Sequence, residues 1–315
     1  MPYKMNQRGV LACVKCRWNM LRCSGQIDSR ITPFEEARTM RAYVTLLSTE
    51  SYLPGVLALH ESIRRSGTRH PFVAAVSAHL PPQIDSLLEK AGILVRRIPE
   101  STAIPREMIE GNGHWGHTFD KVHLFGLHEF SKLVYVDSDM IVLVNMDELF
   151  DKPHMSAVAA GRLVHPHWVR FNAGLLVIEP VQGLSDRIFS KLPQAVADVA
   201  GLVDQSDLGD QDLLNAYYPG WTTRADLELD QGYNMFACYL DLHIEKHGYR
   251  LPDQPRAGGP LVKIVHFVGP RKPWMRGASL RHYARVLREG KAVKWENRMF
   301  SVYKKLIKDG AVATA

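Results

Sequence analysis

Cysteine is scarce in this chain. Four occur in 315 residues, with Cys13, Cys16 and Cys23 crowded near the start and Cys238 far downstream. That pattern is no disulfide framework, and the reduced thiols of a cytosolic protein account for it. Cys13 and Cys16 have the spacing of half a zinc site, yet no second ligand pair follows at a suitable distance. Long apolar runs are missing too. No stretch reaches the roughly 18 apolar residues of a membrane-crossing helix, and residues 1–25 carry positive charge without an apolar core of signal-peptide length. These absences predict a protein of the cytoplasm. Repeats and low-complexity segments are absent as well. What is left is an ordinary globular composition, 46% hydrophobic and 23% charged, long enough for one large α/β domain with appendages. The net charge of +6 suits a phosphorylated substrate or an anionic surface. It does not indicate nucleic acid, because no basic cluster is interleaved with aromatics on a recognisable module.

The chain reads as alternating strand and helix. Residues 42–47 form an apolar strand; Ser48 and Thr49 follow it, and Leu57, Leu59 and Ile63 mark a helix closed by Ser66 and Gly67. A second strand at 72–76 leads through Pro81 and Pro82 into a helix carrying Ile84, Leu87 and Leu88, and a third strand follows at 93–95. A helix is expected over about 120–130. The run 132–136 has the character of a buried central strand; further strands are expected at 157–160, 173–178 and 262–267, with helices at 211–217 and 280–307. Such βαβα alternation implies a parallel sheet covered on both faces.

Asp137, Ser138 and Asp139 end the central strand at its carboxyl edge, where open α/β sheets place their ligands. Taken alone, an Asp-x-Asp triplet is as readily a solvated turn. Two hard oxygen ligands held close together are also what Mg²⁺ or Mn²⁺ requires. A second strand ends at His266, followed by Gly269, Arg271 and Lys272. A lone histidine there is commonly structural, but an imidazole, a flexible turn and two cations together suit a metal-bridged diphosphate. Asp210, Gln211 and Asp212 open a predicted helix, where either carboxylate could serve equally as an N-terminal cap.

With Asp137-Ser138-Asp139, Phe171-Asn172-Ala173-Gly174, Gly209-Asp210-Gln211-Asp212 and the run from His266 through Phe267, Lys272 and Pro273 to Trp274 in that order, the chain resembles glycosyltransferase family 8 from about Arg41 to Trp274. The resemblance implies an α/β protein of GT-A fold, a nucleotide-binding βαβ half with a mostly parallel central sheet merged with an acceptor-binding half. It implies transfer of a hexose, glucose or galactose, from a UDP-sugar with retention of configuration, and Mn²⁺ as the ion with Mg²⁺ as the alternative. By position, Asp137, Asp139 and His266 match the family's metal ligands, with Ser138 between the two carboxylates. Leu46, Ser48 and Tyr52 fall where the family holds uracil and ribose. Lys121 matches a lysine that reaches the donor sugar and phosphate, and Asn172, Ala173 and Gly174 match the segment lining the sugar pocket. Gly269 and Lys272 match the diphosphate contacts. Asp210 and Gln211 would orient the sugar, and Asp212 would stabilise or attack the developing cation. Glycosyl transfer passes through an oxocarbenium-like state while charge builds on the diphosphate, so most of the acceleration is expected from fixed positive groups around it.

The expected organisation is an extension over 1–40, a GT-A domain over 41–275 and a basic helical tail over 276–315. The acceptor is a saccharide, a polyol or a glycolipid, and no nucleic acid is expected. Two further contacts stay open, a homodimer and an anionic membrane met through Lys294, Trp295 and Arg298 of the tail. Two other functions remain in view. One is a self-glucosylating primer of polysaccharide synthesis; against it, Asp241 occupies the position of the primer tyrosine after Tyr233 and Asn234, with Tyr239 only nearby. The other is a non-catalytic nucleotide-sugar binder, against which stand the intact Asp137, Asp139, His266 and Lys272.

Overall fold

The computed structural model describes residues 40–101, 116–199, 208–254, 258–269, 272–289 and 293–312. The extension over 1–39, with its three cysteines, and Arg271 lie outside the described residues. In chain order the elements are β1 (Arg41–Leu47), α1 (Leu53–Arg65), β2 (Phe72–Ser77), α2 (Gln83–Lys90), β3 (Leu94–Ile98), β4 (Lys132–Val136), β5 (Met140–Val142), β6 (Ala157–Val158) and β7 (Asn172–Ile178). They continue as α3 (Leu184–Phe189), α4 (Leu192–Val199), α5 (Asp210–Tyr217), β8 (Met235–Phe236), α6 (Leu240–Lys246), β9 (Ile264–His266), α7 (Ala278–Glu289) and α8 (Lys294–Val312).

A six-stranded sheet runs in the order β3-β2-β1-β4-β7-β6. The pairs β1–β2, β1–β4 and β2–β3 are parallel, whereas β7 is antiparallel to both of its neighbours, so β7 alone runs against the other strands. The side chains of β1 show why the sheet is covered on both faces. Ala42, Val44 and Leu46 enter one core cluster while Tyr43 and Leu47 enter another, the period of two that a strand imposes. A second, three-stranded sheet has the order β5-β9-β8, with β5 and β9 antiparallel and β8 and β9 parallel. The expected mixed α/β architecture with a mostly parallel sheet is what forms.

Several expectations differ from the structure in detail: the helix expected over 280–307 is two, α7 and α8, and the strand expected over 262–267 spans Ile264–His266. The helix expected over about 120–130 is a 3-10 helix over residues 116–126. Phe119, Val122 and Phe125, each fully buried, recur every third residue, and that spacing shares one face only when the turn has three residues. Asp120 within the segment ties it to its surroundings, accepting from Ser77 Oγ at 2.6 Å and from Ser101 N and Oγ at 3.0 and 2.8 Å. The strand expected over 157–160 is two residues long, Ala157–Val158, and its register against β7 shifts between them.

The last helices belong to the fold. α8 packs along α1, and Met299, Phe300, Tyr303 and Leu306 join a third core cluster with Ala58 and Ile141. Asp241 of α6 caps α8, its two oxygens accepting from Trp295 N and Glu296 N at 2.9 Å each, where a carboxylate meets the positive end of the helix dipole. No helix among the described residues is long and apolar enough to cross a membrane.

On α1, His60 lies against the Phe72 ring, and burial pulls its imidazole down from 6.5 to about 4. The folded state therefore holds a neutral ring that the unfolded chain protonates. Its stabilisation is full above pH 6.5 and is lost as the pH falls through about 4, amounting to roughly 2 kcal/mol after allowance for its partial exposure. His60→Gln should shrink the drop in Tm between pH 7 and pH 4.5; melts with an unchanged pH dependence would count against this assignment.

Candidate active site

The two sheets meet at Asp137–Asp139. As β4 ends, Asp137 N donates to Gly174 O on β7 at 2.8 Å, and two residues later Asp139 O accepts from Phe267 N just past β9 at 3.0 Å. The loop is thus clasped from both sides by backbone hydrogen bonds. His266 closes β9 in register with Met140, which brings its ring to the loop. One ligand atom from each of Asp137, Asp139 and His266 lies within 4.8 Å of the others. His266 Nε2 is 3.2 Å from Asp139 Oδ1 and 3.9 Å from Asp137 Oδ2.

A line of amides fixes which nitrogen of His266 faces the carboxylates. Gly174 N can only donate, and it donates to Asn172 Oδ1 at 3.0 Å, so that atom is an oxygen. Asn234 must then present Nδ2 to the same oxygen, at 2.8 Å, which turns Asn234 Oδ1 toward His266 Nδ1, also at 2.8 Å. Nδ1 consequently carries the proton, and in the neutral ring Nε2 keeps its lone pair on the carboxylate side. At the other end Ala173 N donates to Gln211 Oε1 at 3.2 Å, and Asn172 Nδ2 donates to the same atom at 2.9 Å. Gly174 is required by the close approach. A Cβ there would meet Met140 Cε at 2.6 Å, His266 Cε1 at 2.8 Å and Asn172 Oδ1 at 2.9 Å.

Around the trio the charges are buried and paired. Lys121 Nζ lies 2.6 Å from Asp210 Oδ2 and 3.3 Å from Asp137 Oδ1, donates to Ala173 O at 3.1 Å and sits over the Tyr135 ring. Burial pulls this amine down, but Asp137 and Asp210 outweigh it and hold it above its ordinary value. Burial pushes the Asp210 carboxyl up against the pull of Lys121. Lys272 Nζ donates to Asp139 Oδ2 at 2.5 Å and to Phe267 O at 3.1 Å. Burial would raise the Asp139 carboxyl, yet the Lys272 ammonium outweighs it and holds the group well below the usual carboxylate range. Tyr135 Oη donates to Asp137 Oδ1.

Three carboxylates, of Asp137, Asp139 and Asp210, thus face two ammonium groups, of Lys121 and Lys272. With the His266 imidazole neutral, the cluster carries one negative charge in excess, which favours a cation at the trio. Two hard oxygens and an imidazole nitrogen of fixed tautomer are a donor set that Mn²⁺ or Mg²⁺ accepts.

Arg271 aside, every residue expected at the site from sequence lines one cleft of about 760 Å³: Leu46, Ser48, Tyr52, Lys121, Asp137–Asp139, Asn172–Gly174, Asp210–Asp212, His266, Gly269 and Lys272. The volume is that of a drug-sized or cofactor-sized ligand. Tyr52 stands edge-on to Trp274 at 5.2 Å, which steadies its ring on the wall. Gly269 has φ +90, a conformation that lets the chain turn away after β9. Asp212 combines both readings offered for it. It lines the cleft, and its carboxylate also accepts from Gly209 N at 3.3 Å and pairs with Arg170 at 3.2 Å.

Sequence reasoning missed Asn234, Tyr135 and Arg170. Asn234 does appear in the sequence beside Tyr233, but its link to His266 spans 32 positions and becomes visible only when β8 pairs with β9. Tyr135 was readable as an apolar strand residue, and its hydroxyl is the feature that mattered.

A nucleotide-sized cleft closed by a carboxylate pair and a histidine at the carboxyl edge of such a sheet is the arrangement of a GT-A glycosyltransferase. The structure of the galactosyltransferase LgtC in complex with donor and acceptor sugar analogs superposes with a TM-score of 0.57 at 16% identity, covering 86% of this chain and 96% of that one. The apo form of the glycosyltransferase GlyE of Streptococcus pneumoniae TIGR4 does so at 0.52 and 21%, covering 86% and 63%. Residues 43–278 match the family Glycosyl transferase family 8, and the chain belongs to it.

Among its relatives, Glycogenin-1 of Mus musculus is 28% identical over 240 residues, covering 75% of this chain and 66% of that protein. A putative UDP-glucuronate:xylan alpha-glucuronosyltransferase 3 of Arabidopsis thaliana is 29% identical over 248 residues, covering 74% of this chain and 34% of that protein. The chain therefore spans just under two thirds of the glycogenin and about a third of the plant protein.

Asn234→Ala removes the acceptor that sets the His266 tautomer. Mn²⁺ affinity, read by calorimetry in the presence of UDP, should fall by about 10- to 100-fold while Tm changes little. Asn234→Asp, which keeps an acceptor toward His266, should recover part of the loss. An unaltered Mn²⁺ affinity in Asn234→Ala would show that the relay does not orient the ligand.

Proposed function

We propose that this protein transfers a hexose from a UDP-sugar to a hydroxyl of a separate saccharide, polyol or glycolipid acceptor, with retention of configuration and with Mn²⁺ or Mg²⁺ held by Asp137, Asp139 and His266. The observation that carries this reading is the trio set beside two buried lysines within one cleft. When bound, the ion supplies Lewis-acid stabilisation of the departing diphosphate. Lys272, at the end of the cleft beside Asp139, adds a fixed positive charge to the same leaving group, and Gly269 leaves backbone room for it. Leu46, Ser48 and Tyr52 wall the nucleoside end. Asn172, Asp210 and Gln211, bound to one another or to Lys121, present a rigid polar surface to the sugar hydroxyls.

Both oxygens of Asp212 are engaged, by Arg170 and by Gly209 N. Such bonds weaken a carboxylate as a nucleophile, and same-face attack by the acceptor hydroxyl is the mechanism we adopt. An external acceptor is favoured over self-glucosylation on two grounds. Tyr239 does not line the donor cleft, and its hydroxyl is bound to His165 Nε2 at 2.9 Å. Asp241, in the position of a primer tyrosine, is occupied in capping α8. A nucleotide-sugar donor also agrees with the cytoplasmic location expected from the sequence.

Release of free UDP from UDP-glucose, UDP-galactose and UDP-glucuronate in the presence of Mn²⁺ should pick out one donor. Its turnover should fall by about 10²- to 10³-fold in Asp139→Asn and vanish with EDTA. Turnover indifferent to both would remove the metal from the reaction, and binding of a donor without turnover of any would leave a non-catalytic nucleotide-sugar binding protein.

A further inference from the structure

Helix α7 carries two unlike faces. Its inner face is packed: Ala278 and His282 are buried, the His282 ring stacks on Phe300 of α8 at 4.4 Å, and Arg285 pairs with Glu296. Its outer face holds Leu280, Tyr283, Ala284 and Leu287 at i, i+3, i+4 and i+7, a stripe about 100° wide. These side chains stand in solvent, Leu280 at 76%, Leu287 at 83% and Tyr283 at 49% exposure. No other large apolar side chain among the described residues is exposed above 49%, so the two leucines are not the scattered exposure every surface shows.

The charge of the C-terminal region is mostly positive. Residues 276–315 hold ten Lys and Arg against three Asp and Glu, a surplus of seven beside a net charge of +6 for the whole chain. Arg276 and Arg288, before the stripe and beside its last turn, are both exposed. An apolar stripe bordered by cations is the pattern of a helix that lies in the interface of an anionic bilayer, with its leucines in the acyl boundary and its cations at the headgroups. Lys294, Trp295 and Arg298, where the sequence suggests a membrane contact, lie at the start of α8. The Trp295 ring packs on the third core cluster, with Lys294 Nζ and the Arg298 guanidinium 4.5 and 5.9 Å from its centre.

We propose that α7 docks on an anionic lipid surface through Leu280, Tyr283 and Leu287. A second copy of the chain is the poorer partner, because a twofold contact through the stripe would set one basic border against another. The inner face of α7 walls a cavity of about 890 Å³ that shares Val268 and Lys272 with the donor cleft. A docked α7 therefore holds that cavity between the cleft and the bilayer.

The test is co-sedimentation of the full chain with vesicles of phosphatidylcholine alone and with about 30% phosphatidylglycerol, at low and high salt, for the wild type and for Leu280→Asp with Leu287→Asp. Both positions are exposed, so Tm should be unchanged. The expected result is binding to the anionic vesicles only, weakened by salt and reduced about tenfold or more by the double substitution. Absence of binding to anionic vesicles at low salt, or equal binding by wild type and variant, would overturn the proposal. So would self-association in light scattering that the double substitution abolishes, since that assigns the stripe to a second copy. UDP release by the variant in solution should match wild type, which separates a failure of docking from a failure of the transferase reading.

Discussion

Two backbone N–H groups on one strand, those of Ala173 and Gly174, set the chemistry of this site. A backbone amide can only donate, so it fixes the identity of whatever amide atom faces it. Gly174 N makes Asn172 Oδ1 an acceptor, and Ala173 N does the same for Gln211 Oε1. From Asn172 the constraint passes through Asn234 to the tautomer of His266, and from Gln211 it reaches the first turn of α5. The order of a strand's hydrogen bonds thereby becomes the order of donors and acceptors across a cleft. Reversal of either amide would leave a buried N–H facing another N–H, at a cost of about 1–3 kcal/mol for each unpaired group. The relay is consequently held in one state before any ligand arrives.

The buried charges depend on the same strand. Lys121 is almost wholly withdrawn from water, and a lone ammonium there would be strongly disfavoured. It remains charged because Asp137, Asp210 and the carbonyl of Ala173 surround it. Lys272 is placed similarly by Asp139 and the Phe267 carbonyl. Each lysine touches one carboxylate of the candidate trio, so the two cations are positioned through residues that would hold an ion. The cost in stability of so much buried charge is of the kind that functional sites carry.

Much of the fold was legible in the sequence where local pattern decides the outcome. The strands at 42–47, 72–76 and 132–136 are short apolar runs covered on both faces, and such runs read as buried parallel strands whatever surrounds them. The cleft residues were legible through four ordered motifs, since their spacing along the chain records which strand ends converge. Elements whose existence rests on distant partners were not. β5 and β8 are three and two residues long and exist because β9 lies between them. The 3-10 segment at 116–126 has an apolar period of three, which a search for helical stripes of period 3.6 reads as a displaced α-helix. Asn234 illustrates the remaining limit. Nothing in a Tyr-Asn pair says that its amide will orient a histidine 32 positions away.

The C-terminal helices bear on the same loop from behind. Tyr303 of α8 is fully buried and donates from its hydroxyl to Ser138 O at 3.0 Å, the carbonyl between Asp137 and Asp139. The backbone of α1 closes on that carbonyl as well: a Cβ at Gly55 would lie 2.6 Å from Ser138 O and 2.8 Å from the Trp274 ring. Sequence periodicity marks α8 as a basic amphipathic segment, a description that fits a tail free to leave the protein. Its contacts give the opposite result. With Asp241 capping its first turn, Tyr303 holding the loop and Arg65 pairing with Asp309 at 2.6 Å near its end, α8 is fastened at three points along its length. Removal of this helix would free the Ser138 carbonyl and uncover the third core cluster together, so the geometry of the carboxylate pair depends on residues more than 160 positions downstream of it. α7 is fastened only along its inner face, and the apolar stripe it leaves outward is the part of the C-terminal region that the fold does not use.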